Sequence, residues 1–349
     1  MVLPLTPVRL NRHAAQVFGS KAAVVCGGAR FTYREFNERA DRLSTALANF
    51  GVRKGDRVAY LSFNCHRLLE AYFGVPQLGA VLLPLNIRLS AEELGYILND
   101  ASPKILFFDP EFIPLVECLR AKASSVERAI SLRDAKPAWA HPKFYDELIA
   151  ASEPAAIDFR GIDENSVAEL FYTSGTTAHP KGVMLTHRNL YLHAFYAATR
   201  LADRDGLVHL YTVPLFHVNS WGAPHIVTLV GGRHVMIRKF DPASVMELVE
   251  RERVTRLHGV PAMFIAMLND PAFGRYDLSS LREVMLGGAP SSTALVREIQ
   301  RKIPSATALC GYGLTETSPV IVTSHPKALP AGEPEDVRIA HQASAGYAM

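Results

Sequence analysis

The sequence predicts an α/β fold of layered, parallel-rich sheets with helices packed on them. Short apolar runs alternate with amphipathic stretches of helical period along most of the chain. Capping boxes, Thr32 with Glu35 and Ser90 with Glu93, mark two helix starts. Glycine and proline then punctuate the ends of the runs.

In order, residues 22–26 read as a strand ended by Gly27 and Gly28, and the Thr32 box opens a helix with Phe36, Ala40, Leu43, Leu47 and Phe50 on one face until Gly51. The pattern repeats as strand 57–62, helix 65–79 and strand 81–85, then as a helix from Ser90 to about Ala101 and strand 105–108. Residues 121–154 hold three prolines and read as surface connection, with Trp139 and His141 structural. Strand 167–171 follows, and Thr186 caps a helix 187–201 whose His187 and His193 are expected on the surface. Strand 207–213 ends in Pro214-Leu-Phe-His217. Asp241-Pro242 opens another helix, 254–257 is strand-like, and Pro261 opens an apolar helix whose methionines 263 and 267 are spaced as core. Strand 281–286, helix 291–302 and strand 306–309 complete the regular part, and beyond Pro319 the chain reads as polar and irregular.

At 349 residues the chain can bury a large core as one large domain or two ordinary ones. Lys and Arg number 37 against 34 Asp and Glu, a balance that gives no argument for nucleic acid. The four cysteines, Cys26, Cys65, Cys118 and Cys310, lie far apart without metal-ligand spacing, so a reduced cytoplasmic setting is the default expectation. The amino terminus has two prolines and no basic flank before an apolar core, unlike a secretory signal. No uninterrupted apolar run reaches the roughly 18 residues of a membrane span.

The chemistry gathers in Tyr172-Thr173-Ser174-Gly175-Thr176-Thr177-Ala178-His179-Pro180-Lys181-Gly182. A strand delivers a loop whose glycines let backbone N–H groups approach an anion, whose hydroxyls add donors and whose Lys181 adds charge, a set suited to phosphate. It is not a Walker A loop: five residues separate Gly175 from Lys181, and a glycine follows. The stretch resembles the signature loop of the AMP-forming adenylating enzymes, which include acyl-CoA synthetases, aryl-CoA ligases, luciferases and peptide-synthetase adenylation domains. Ala178 stands where that family commonly has glycine.

Three later stretches extend the resemblance. Phe216-His217 is similar to a segment whose histidine borders the substrate carboxylate; from the residues alone, a lone histidine in such a place is usually structural. His217-Val218-Asn219-Ser220-Trp221 resembles bacterial medium- and long-chain fatty acyl-CoA synthetases, in which the tryptophan gates the fatty-acid tunnel; a core tryptophan is the alternative. Gly287-Gly288-Ala289-Pro290 resembles the loop beside adenine. Gly311-Tyr312-Gly313-Leu314-Thr315-Glu316 matches the motif in which tyrosine stacks on adenine, threonine contacts the α-phosphate and glutamate binds magnesium.

The resemblance implies ATP-dependent activation of a fatty acid through an acyl-adenylate, with Mg2+ at Glu316 and coenzyme A as co-substrate. It implies catalytic roles for Lys181, His217, Thr315 and Glu316, and nucleotide contacts from Thr173, Ser174, Gly175, Thr176, Thr177, Lys181, Gly288, Ala289, Pro290, Gly311, Tyr312, Gly313 and Thr315. His217 and Trp221 would meet the acyl substrate, and the apolar surroundings expected for Trp221 favour an alkyl chain over an aryl or amino acid. A homodimer stays open, as does a catalytically silent nucleotide-binding remnant. One adenylation domain is expected over 1–349, with approximate subdomains 1–165 and 166–330 and an irregular tail 331–349. It is expected to be incomplete, without the small C-terminal domain that carries the adenylation lysine, and so to form little acyl-CoA.

Overall fold

The computed structural model describes residues 3–154, 158–173, 179–200, 205–325 and 332–348. The strands in chain order are β1 (Ala22–Cys26), β2 (Ala29–Thr32), β3 (Arg57–Leu61), β4 (Val81–Pro84) and β5 (Ile105–Phe108). Then come β6 (Arg128–Ser131), β7 (Val167–Thr173), β8 (Lys181–Thr186), β9 (Val208–Tyr211) and β10 (Arg233–Met236). The last are β11 (Arg256–Gly259), β12 (Glu283–Leu286), β13 (Thr307–Gly313), β14 (Val320–Thr323) and β15 (Tyr347–Ala348). They form a six-stranded sheet, β6-β5-β3-β4-β7-β8, and a nine-stranded sheet, β15-β14-β13-β12-β11-β9-β10-β1-β2. Pairing is parallel through both centres and antiparallel only at the hairpin edges.

The helices are α1 (Pro7–Val17), α2 (Tyr33–Asn49), α3 (His66–Gly74), α4 (Ala91–Ala101), α5 (Ile113–Arg120) and α6 (Tyr145–Ala150). They continue as α7 (His187–Ala198), α8 (Val218–Leu229), α9 (Pro242–Glu252), α10 (Pro261–Leu268), α11 (Thr293–Lys302) and α12 (Glu335–Ala343). Both expected capping boxes form, at Thr32 and Ser90.

Alternation along each strand sets the layers. Val58 and Tyr60 of β3 point into a shared core with α1, α2, α3, α6, α7 and α8, which lie between the two sheets. Ala59 and Leu61 point the other way, onto α4 and α5. The far face of the nine-stranded sheet is covered by α9, α10, α11 and α12. Strands buried on both faces carry continuous apolar runs rather than alternation, which is why these segments read so plainly as parallel strands.

The sheets do not divide the chain at residue 165. β1 and β2 join the later strands, while β7 and β8 complete the earlier sheet. The expected irregular tail holds α12, whose Ile339 is buried against the α11 cluster. His187 is not on the surface: α1 lies over the first turn of α7, Thr6 Oγ1 is 2.8 Å from His187 Nδ1, and burial pushes that imidazole down to about 4. His193 is half-buried, and the protein around it pushes its pKa down to about 4.

Candidate active site

β7 ends at Thr173, which pairs across an antiparallel hairpin with Lys181 at the start of β8. Ser174, Gly175, Thr176, Thr177 and Ala178 lie outside the described residues. Two strands away in sequence order, the loop from β9 is tied to the other sheet by Asn64. Its side-chain amide donates to the carbonyls of Tyr211 (2.9 Å) and Val213 (3.1 Å) and accepts from the Leu215 N–H (2.7 Å). The Tyr72 hydroxyl donates to the Leu215 carbonyl at 2.7 Å. These bonds fix the backbone that presents His217.

After His217 the chain does something its residue types resist. Val218, Asn219, Ser220, Trp221 and Gly222 all have positive φ, from 37° to 83°, giving a left-handed turn at the start of α8. Each L-residue held there costs about 1–2 kcal/mol, so the turn must be held from outside. Buried Glu169 of β7 accepts from the Asn219 side chain at 2.7 Å, and its other oxygen lies 3.2 Å from His225 Nε2. Asn219 Oδ1 accepts from the Gly222 N–H at 2.7 Å, and the Ser220 hydroxyl donates to the Val213 carbonyl at 3.0 Å. A Cβ on Gly222 would sit 2.6 Å from the His193 ring, so only glycine fits. The turn lays the Trp221 indole, 7% exposed, against Gly287 and stacks it on His258 at 5.4 Å.

Beside the indole, β12 leads into Gly287-Gly288 and β13 brings Gly311, Tyr312 and Gly313. A Cβ on Gly313 would lie 2.0 Å from the Pro319 carbonyl oxygen; its absence lets the β13–β14 turn fold back on itself. Within that turn Thr315 is buried, while Tyr312, at 49% exposure, and Glu316 face outward.

These elements enclose a cavity of about 400 Å3 lined by Thr173, His217, Trp221, Gly288, Gly311, Tyr312, Gly313, Thr315 and Glu316. Nine of the anticipated residues thus converge from β7, the β9–α8 loop, the first turn of α8, the loop after β12, β13 and the turn that follows it. Lys181, Ala289 and Pro290 are exposed and do not line it. His217 sits at the rim; the protein around it and the Arg88 guanidinium hold its pKa below the ordinary imidazole value, leaving a neutral ring at pH 7. Among the described residues no cluster of three or more His, Cys, Asp or Glu could hold a metal ion by itself. A larger cavity, about 540 Å3, includes Phe63, Arg88, Phe216, Arg238 and Lys239, and none of the anticipated residues lines it.

Sequence reading missed the left-handed turn and its Glu169–Asn219–His225 support. The available signals were Asn219, the residue type most tolerant of left-handed backbone after glycine, and Gly222 three positions later. It also missed β8, whose outer face leaves Met184 66% exposed and so lacks a clean inside–outside pattern.

The chain belongs to the AMP-binding enzyme family, whose sequence model matches residues 11–349. It is 39% identical over 342 residues to a long-chain-fatty-acid–CoA ligase of Thermus thermophilus, covering 95% of this chain and 61% of that protein. It is 38% identical over 325 residues to a feruloyl-CoA synthase of an Amycolatopsis species, covering 91% and 60%. The chain therefore spans about three-fifths of the length of these relatives. Among solved structures it is similar to the inhibitor-bound N-terminal domain of FACL13 from Mycobacterium tuberculosis, with a TM-score of 0.87 and 27% identity over 99% of this chain and 82% of that one. Among the described residues no helix is long and apolar enough to cross a membrane.

Proposed function

We propose that this chain provides the adenylating site of an AMP-forming acid–CoA ligase. A carboxylate oxygen attacks the α-phosphorus of ATP, forming an acyl-adenylate as the bond to pyrophosphate breaks. The coenzyme A thiol, giving up its proton, then attacks the acyl carbonyl and AMP leaves. The observation that carries this reading is the convergence of Thr173, His217, Trp221, Tyr312, Thr315 and Glu316 on one cavity.

Tyr312 offers a half-exposed ring for adenine, with Gly288 beside the base and Gly311 and Gly313 keeping the backbone close. Thr315 faces the α-phosphate. Thr173, residues 174–177 and Lys181 hold the departing phosphates, and the neutral ring of His217 borders the carboxylate without competing for its charge. Glu316 fits a magnesium ion that arrives with the triphosphate, since Mg2+ keeps most of its shell from water and phosphate and takes one or two carboxylates from protein. When bound, the ion offsets phosphate charge. Catalysis by the chain's own residues is then positioning and electrostatics.

A fatty acid is the first candidate acid, supported by the likeness to the Thermus ligase. The second is an aryl or otherwise oxygenated acid, favoured by the imidazole of His258 stacked behind Trp221.

The test is ATP titration with and without magnesium in the parent and in Glu316→Gln, which keeps the shape and removes the anionic oxygen. The parent should bind ATP more tightly with the ion and the variant should lose that difference. Equal magnesium dependence in both contradicts the assignment.

A further inference from the structure

Behind Trp221 the inner face of the nine-stranded sheet is polar where an alkyl chain would need it apolar. Arg256 of β11 stands opposite His209 of β9, and His258 lies two residues further along β11 on the same face. The rings of His209 and His258 meet edge-on at 4.6 Å, and His258 stacks on the indole of Trp221. Both imidazoles are enclosed, at 0% and 2% exposure. None of their four ring nitrogens has a hydrogen-bond partner among the described residues, and neither does Arg256 Nη1. Buried donors left this way are rare and costly.

The charge of this patch is specific. Burial, with the Arg256 guanidinium, holds both imidazoles far below their ordinary pKa, so each is neutral and keeps one N–H donor and one bare acceptor. The Arg256 charge is matched by Glu283, Nε to Oε1 2.6 Å. The patch offers hydrogen bonds without net charge. Between it and the 400 Å3 cavity stands the Trp221 indole, on a backbone held left-handed for five residues. Such strain persists only where the surroundings enforce it and is common at sites that rearrange with a ligand.

We infer that His209, Arg256 and His258 form the far end of the acyl site, and that the acid taken there carries an uncharged oxygen function, a hydroxyl, ether or carbonyl, remote from its carboxylate. The inference rests on the carboxylate-activation reading. A plain alkyl end would leave all five buried nitrogens unanswered. A second carboxylate would be buried beside an arginine already neutralised by Glu283. A neutral oxygen can accept from an imidazole N–H or from Arg256 Nη1 at neither cost.

The experiment is equilibrium dialysis of matched acids against the full chain: octanoate with 8-hydroxyoctanoate, and cinnamate with 4-hydroxycinnamate. ATP binding is measured on the same samples. In at least one pair the oxygenated acid should bind tenfold or more tighter, and His209→Leu and His258→Phe should bring that ratio to about one. His258→Asn, which keeps a donor and an acceptor, should preserve a preference, and it decides the matter where a bulkier variant does not fold. Unoxygenated acids that bind as tightly as their partners, or a preference that survives both His209→Leu and His258→Phe, overturns the inference and leaves carboxylate activation standing. Binding of ATP with no binding of any acid contradicts both.

Discussion

Replacing Asn219 by alanine should destabilise the protein by about 4 kcal/mol, a large part of the 5–15 kcal/mol by which folded domains exceed their unfolded states. The structure supplies each contribution. The Asn219 amide donates to the buried Glu169 carboxylate at 2.7 Å, and a hydrogen bond to a charged group is worth about 1.5–3 kcal/mol. Its carbonyl accepts from the buried Gly222 N–H at 2.7 Å, and an orphaned buried donor costs about 1–3 kcal/mol. At φ 45°, alanine also tolerates the left-handed backbone less well than asparagine, by about 1 kcal/mol. Asn219→Gly removes both hydrogen bonds but not the backbone freedom, so it should lose about 1 kcal/mol less than alanine. Urea unfolding followed by tryptophan fluorescence reads both quantities, because one of the two tryptophans is Trp221. A loss under about 1 kcal/mol for Asn219→Ala, with the Trp221 emission unmoved, would refute the claim that Glu169 and Asn219 hold the turn.

Stability should fall as the medium is acidified from pH 6.5 towards 4. His187 and His193 are held to about 4 in the fold, and His66 and His234 to about 3, chiefly by burial. Below about 6.5 the unfolded chain takes up protons that the native state does not, at about 1.4 kcal/mol per pH unit for each such histidine; above 6.5 neither state does and this dependence vanishes. Urea midpoints at pH 7.5, 6.5 and 5.5 check the sign, and a flat profile across the lower interval contradicts it. Trp221→Ala should lower stability by about 3–5 kcal/mol, since the indole is packed on His258 and Gly287. Its acid selectivity should shift more than its ATP affinity; an unchanged ranking of acids would make Trp221 a core residue only.

The layered fold was legible because β3, β4, β5 and β12 are apolar on both faces and because Thr32, Ser90, Thr186 and Asp241 announce their helices. Sheet membership was not legible. β1 and β2 reach across the chain to β10, and nothing local in Ala22–Cys26 specifies a partner about 200 residues away. His187 misled for a similar reason: its helical position fixes a face, but only the packing of α1 decides that this face is covered. Most of the site was legible as motif, since Tyr312, Thr315 and Glu316 sit in one short turn. Its polar backing was not, because His209 and His258 are lone residues on separate strands and meet only through the β9–β11 pairing.

The central claim, that the cavity between the Trp221 turn and the β13–β14 turn receives an acyl-adenylate, is tested most directly by the binding of a non-hydrolysable mimic, a 5′-O-(N-acylsulfamoyl)adenosine. Its dissociation constant is measured by calorimetry on the parent chain and on Tyr312→Ala. Base–aromatic stacking is worth about 1–3 kcal/mol, so the parent should bind stoichiometrically and the variant should bind about ten- to a hundredfold more weakly. Equal affinity in the two proteins, or no binding by the parent, contradicts the account.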